Sequence, residues 1–162
     1  MSEAEEILQR LRDRGLTLGV AESLTGGLLA DAFVQVPGAS AVLLGAVVAY
    51  ATPLKRTVLG VDPGLLAARG PVDPDVAQQM ADGVRRAVAV DGRPADVGVS
   101  TTGVAGPEGQ GGEPPGTVFV GVAVGERITS AGLVLAGDRE SVRRGAVRLA
   151  LTTLLATVRA AE

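Results

Sequence analysis

Ser23 stands between an apolar run, "LTLGVA", and the glycine pair of "LTGG", in a chain of 162 residues without a histidine or a cysteine. A serine so placed is either a helix N-cap or a nucleophile at a strand-to-helix turn. The nucleophile needs a base other than imidazole. The basic residues narrow the choice: of 15, 14 are arginines and Lys55 is the one lysine. Arginine stays protonated at any workable pH, whereas a buried lysine amine can shed its proton and then accept one from a hydroxyl. Lys55 is either a chance survivor on a surface helix or a residue that arginine cannot replace. Tyr50 is likewise the sole tyrosine, five residues before Lys55. Its hydroxyl can hold the amine or a substrate, or simply meet water at the edge of the core.

Further candidates are backbone donors and hydroxyls. The N–H groups of Thr25, Gly26 and Gly27, beside Ser23, can hold a phosphate or a developing oxyanion if a helix starts there, and Glu22 is a further candidate substrate contact. "STTGVAGPEGQGG" offers Thr101, Thr102, Gly103 and Gly106 in a Gly-rich loop without the G-K-[ST] ending of a P-loop. "GDRESVRRG" puts Asp138, Arg139 and Arg143 at the start of the last helix, as a cap and a solvated face or as ligand contacts. No cluster of carboxylates has metal-ligand spacing, and without His or Cys neither disulfides nor thiolate nor zinc chemistry of the usual kind is open. Neither a metal nor a cofactor is expected.

These residues need a scaffold. The spacing predicts helices over 3–14, 24–36, 62–68, 75–90 and 139–159, and a short helical segment from Pro53 that carries Lys55. Strands are expected over 16–21, 42–50 and 95–103, with 117–124 and 128–135 flanking Gly125-Glu126 as a hairpin. With aromatics at 2% and hydrophobic residues at 46%, the core must be close-packed Val, Leu and Ala. The expectation is a single α/β domain over 1–162, a three-layer α/β/α sandwich around a mixed, mostly parallel sheet of about five strands with one antiparallel hairpin. Ser23, Tyr50 and Thr101-Thr102-Gly103 each fall at the end of a predicted strand, where ligands collect in such sheets. The net charge of −3, with no basic stripe, points away from direct nucleic-acid binding. The acidic N-terminus and the short apolar runs point away from a signal peptide or a membrane span and toward the cytoplasm.

Taken in order, "VAESLTGGLLA", "GAVVAYATPLK", "GPVDPDVAQQMADGVR", "STTGVAGPEGQGGEPPGTVFVGVA" and "GDRESVRRGAV" resemble the CinA C-terminal domain family, whose stand-alone members are nicotinamide mononucleotide deamidases of the PncC type. The resemblance implies hydrolysis of that mononucleotide to nicotinic acid mononucleotide and ammonia in pyridine nucleotide salvage. It places the serine nucleophile on Ser23, the catalytic lysine on Lys55, the active-site tyrosine on Tyr50, and a substrate-phosphate arginine on Arg139. It also implies a homodimer or higher homo-oligomer that takes a small-molecule mononucleotide. Asp73 stands where the family commonly has Ser, and Glu113 where Lys is usual. Larger members carry an N-terminal domain for which 162 residues leave no space. The reading of a different class is a non-catalytic nucleotide-sensing or partner-binding module.

Overall fold

The computed structural model describes residues 1–162 and consists of a five-stranded sheet flanked by helices on both faces. The strands are β1 (Leu18–Glu22), β2 (Leu43–Val48), β3 (Val97–Gly103), β4 (Thr117–Val124) and β5 (Arg127–Val134). Their order across the sheet is β2-β1-β3-β4-β5. β1 pairs in parallel with both β2 and β3, while β4 pairs antiparallel with β3 and with β5, so four strands point one way and β4 alone is reversed. The hairpin closes at Gly125-Glu126 as its turn residues dictate.

The helices are α1 (Glu3–Asp13), α2 (Leu28–Val34), α3 (Thr52–Thr57), α4 (Pro63–Arg69), α5 (Pro74–Ala87) and α6 (Arg139–Ala160). α1 starts at a complete capping box of Ser2 and Glu5, and Ile7, Leu8 and Leu11 face inward. Together with α2 and α6 it covers one face of the sheet, where Leu18, Val20, Val97, Val99, Val118, Val120 and Val122 form the larger core. α5 covers the other face through Val76, Met80 and Val84, against Ala21, Ala49, Leu59 and Val61. It lies close to the strands because they present glycine to it. A Cβ built on Gly98 would sit 1.9 Å from the Ala81 carbonyl oxygen, and one on Gly121 2.1 Å from that of Ala77. Small residues thus stand in for the missing aromatics: the layers approach until Val, Ala and Gly fill the space.

Most elements fall within about two residues of the sequence expectation. The exceptions are α5, which ends at Ala87 rather than 90, and α2, which starts at Leu28 rather than 24. Gly26 and Gly27 take φ of 58° and 110°, left-handed backbone incompatible with a helix running through them. That delay decides where the turn that carries Ser23 sits.

Candidate active site

Ser23 directly follows β1 and opens a five-residue turn before α2. The turn is closed by the Gly26 N–H donating to the Ser23 carbonyl at 3.1 Å and the Leu28 N–H to the Thr25 carbonyl at 3.0 Å. Ser23 is therefore not the N-cap of α2; that position is Gly27, which supplies no side chain. Glu22 takes over the capping task. Its fully buried carboxylate reaches across the turn and accepts the N–H groups of Leu29 at 2.8 Å and Ala30 at 3.0 Å. Two consequences correct the sequence reading. Glu22 anchors the helix instead of contacting a substrate, and the N-terminus of α2, already occupied, is not an anion site. Of the three amides expected there, that of Gly26 is spent on the turn. The N–H groups of Leu24 and Thr25, next to Ser23, donate to no acceptor within the protein.

Lys55 rises from α3 beneath Ser23. Its Nζ lies 3.1 Å from Ser23 Oγ and donates to the Ala49 carbonyl at 2.9 Å. Lys55 is 1% exposed, and no carboxylate pairs with it in any of the ion pairs of the protein. Burial without a counter-charge penalises the ammonium form, which pushes the amine down from 10.5 to about 8. The cost of burying that cation is tolerated at a position where a neutral amine is useful.

The other candidates separate into floor and mouth. Below Ser23, the hydroxyls of Thr25 and Thr101, both fully buried, lie 2.8 Å apart, and Thr101 Oγ1 also accepts the Ser23 N–H at 3.4 Å. These two brace the Ser23 backbone and do not reach the cavity. Thr102 turns its hydroxyl to the Pro71 carbonyl at 2.6 Å, so it presents backbone more than side chain. Ser23, Lys55, Tyr50, Thr102, Gly103 and Gly106 share one cavity of about 340 Å³, so the three strand ends do converge. Arg139 lies at its mouth. Its Nη1 donates to the Gly106 carbonyl at 2.6 Å and its Nη2 to the Tyr50 hydroxyl at 3.3 Å, and it has no carboxylate partner. Tyr50, 62% exposed, therefore holds Arg139 and not Lys55; the amine is held by the Ala49 carbonyl instead.

Two contributors, Glu108 and Thr52, were not singled out from the sequence as site residues, and a third, Arg143, stood open between a solvated face and a ligand contact. Arg143, one turn after Arg139 on α6, donates to the carbonyls of Leu24 at 2.8 Å and Thr25 at 3.1 Å and fixes the peptide planes of the turn. Its i,i+4 spacing from Arg139 was the available signal. Glu108 and Thr52 also line the cavity. The two departures noted in the sequence lie elsewhere. Asp73 caps α5 by accepting the N–H groups of Asp75 and Val76, and Glu113 pairs with Gln110 in a short bridge outside the cavity. A larger cleft of about 550 Å³ by α5 contains Asp62, Asp75 and Asp82, all committed to helix capping or to Arg69, Arg85 and Arg86.

The family model of the CinA C-terminal domain matches residues 1–158. The chain belongs to that family. Among curated CinA relatives, a CinA-like protein of Frankia casuarinae is 47% identical over 145 residues, which make up 90% of this chain and 32% of the relative. A CinA-like protein of Thermotoga maritima is 41% identical over 151 residues, covering 93% of this chain and 36% of its own. The chain thus spans about a third of the length of these relatives. The CinA fold is seen in full in a CinA superfamily protein from Enterobacter cloacae, with a TM-score of 0.90, 30% identity and coverage of 96% of this chain and 90% of that one. The competence damage-inducible protein A of Klebsiella pneumoniae subsp. pneumoniae superposes with a TM-score of 0.88 at 34% identity, covering 97% and 95%. No helix of the chain is long and apolar enough to cross a membrane.

Proposed function

We propose that this CinA domain, acting as one unit over 1–162, is an amidohydrolase that converts nicotinamide mononucleotide to nicotinic acid mononucleotide and ammonia by a Ser-Lys mechanism. The observation that carries the reading is the contact between Lys55 Nζ and Ser23 Oγ at 3.1 Å, with the amine buried and unpaired by any acid. Neutral Lys55 takes the Ser23 proton as Oγ attacks the carboxamide carbon. The N–H groups of Leu24 and Thr25, which have no acceptor within the protein, are the donors available to the developing oxyanion, and Arg143 fixes the Leu24–Thr25 peptide through the Leu24 carbonyl. The Lys55 ammonium returns its proton to the departing nitrogen, which leaves as ammonia. Lys55 then deprotonates a water that cleaves the acyl ester and releases the acid. Arg139, exposed and free of carboxylates, suits the substrate phosphate at the mouth. The family resemblance adds a cytoplasmic homodimer, which sedimentation checks.

The test is ammonia release from nicotinamide mononucleotide by the purified chain and by Ser23→Ala. Release by the first and not by the second is expected. Binding of the mononucleotide with no release by either protein would favour the nucleotide-sensing module instead.

A further inference from the structure

Lys55 is surrounded by charges that all have other commitments. Glu22, on β1, is bound to the α2 amides, and Asp73 is bound to those of α5. Arg143, on α6, is turned to the carbonyls of Leu24 and Thr25. Arg139 and Tyr50 bond each other at the mouth, while Arg56 and Glu108 are exposed. None of these groups pairs with the amine, whose polar contacts are Ser23 Oγ and the Ala49 carbonyl. What enters the cavity is therefore the nearest new charge that Lys55 meets. For a pyridinium carboxamide that charge is positive and lies on the same ring as the reacting carbonyl, two bonds from the carbon that bears it.

Resting on the deamidase reading, we infer that the substrate's own ring cation drives Lys55 into the neutral, proton-accepting state, so that the site selects amides carrying a fixed positive charge beside the carbonyl. A like charge within about 4–6 Å disfavours an ammonium, and around an amine as buried as that of Lys55 the repulsion is less screened than in water. A neutral ring leaves the amine as it is in the empty site. The substrate phosphate acts in the opposite sense, but from the mouth, beside Arg139 and solvent. Comparison of two substrates that share the phosphate removes its contribution. Lys55 thus reads substrate charge as well as supplying the base. Binding and proton release are linked: the charged-ring ligand binds the deprotonated protein more tightly than the protonated one.

Calorimetric binding to the Ser23→Ala protein tests this, with nicotinamide mononucleotide and its 1,4-dihydropyridine form, which has the same ribose, phosphate and carboxamide and an uncharged ring. With the free amine displaced to about 8, a roughly tenfold weaker hold on its proton in the complex makes the affinity for the charged ring roughly fivefold stronger, relative to the reduced ring, at about pH 9.5 than at about pH 7. Both pH values lie above the second phosphate ionisation, near 6, so that group contributes little. An affinity ratio that stays flat between the two pH values overturns the inference, as does one that moves the other way. Ammonia release by the wild-type chain, measured alongside, separates the two failures. A flat ratio with an active enzyme sinks only the charge reading, whereas no release from the mononucleotide removes the deamidase reading and this inference with it.

Discussion

The floor and the mouth of the cavity are built on opposite plans. On the floor, Glu22, Ser23, Thr25, Lys55 and Thr101 are all buried, and each polar group is fixed by a named partner on another element. At the mouth, Tyr50 and Arg139 are exposed and hold each other by a single long hydrogen bond of 3.3 Å. A buried polar group without its partner costs far more than an exposed one, so the floor tolerates little change, while the mouth can vary with the ligand. On the proposed function, chemistry belongs to the floor and recognition to the mouth.

Variants that break this contrast should differ in size and in kind. Ser23→Ala should keep the circular dichroism of the wild type and lose about 10⁴-fold or more in turnover, since no second hydroxyl contacts the amine. Lys55→Met should separate activity from stability: turnover is lost, yet the unfolding free energy at pH 7 rises by about 1–3 kcal/mol, because a buried ammonium displaced from 10.5 to about 8 opposes folding. The sign follows from the depressed value of a basic group. Below about 8 both folded and unfolded chains are protonated and the penalty is complete; as pH rises toward 10.5 only the unfolded chain keeps the proton, and the penalty fades. Urea unfolding of both proteins at pH 7 and at higher pH checks this, and a Lys55→Met protein less stable than wild type at neutral pH would contradict it.

Glu22→Gln tests a floor residue that never meets substrate. It weakens the acceptor of two backbone N–H groups, and a loss of about 1.5–3 kcal/mol in urea unfolding is expected. Smallest is Tyr50→Phe. With the hydroxyl on Arg139 and not on Lys55, kcat should stay within about threefold of wild type and the change should appear in KM. A loss in kcat as large as that of Lys55→Met would place the tyrosine on the floor.

Much of this arrangement is written locally. The capping box at Ser2 and Glu5, the hairpin at Gly125-Glu126 and the Asp138 cap of α6 each reside in a few adjacent residues. Ser23 and Lys55 stood out as candidates as well, in a chain without histidine and with one lysine, and their side chains do meet at 3.1 Å. What the sequence hid is tertiary. A helix capped by a carboxylate seven residues before its bonded amide does not look like a capped helix, so Glu22 and the start of α2 were misread. The clasp of Arg143 spans 119 positions, and the partners of Thr101 and Tyr50 lie 76 and 89 positions away. Local spacing carries no trace of such pairings.

The central claim is that a neutral Lys55 activates Ser23, and the pH dependence of kcat/KM for ammonia release, wild type against Lys55→Arg, tests it most directly. The wild-type value should rise with pH through a single ionisation near 8 as the amine loses its proton. The guanidinium cannot lose its proton, so Lys55→Arg should fall by about 10²- to 10⁴-fold and lose that limb. Equal rates for the two proteins from pH 6 to pH 9 would contradict the account and leave Ser23 without a base.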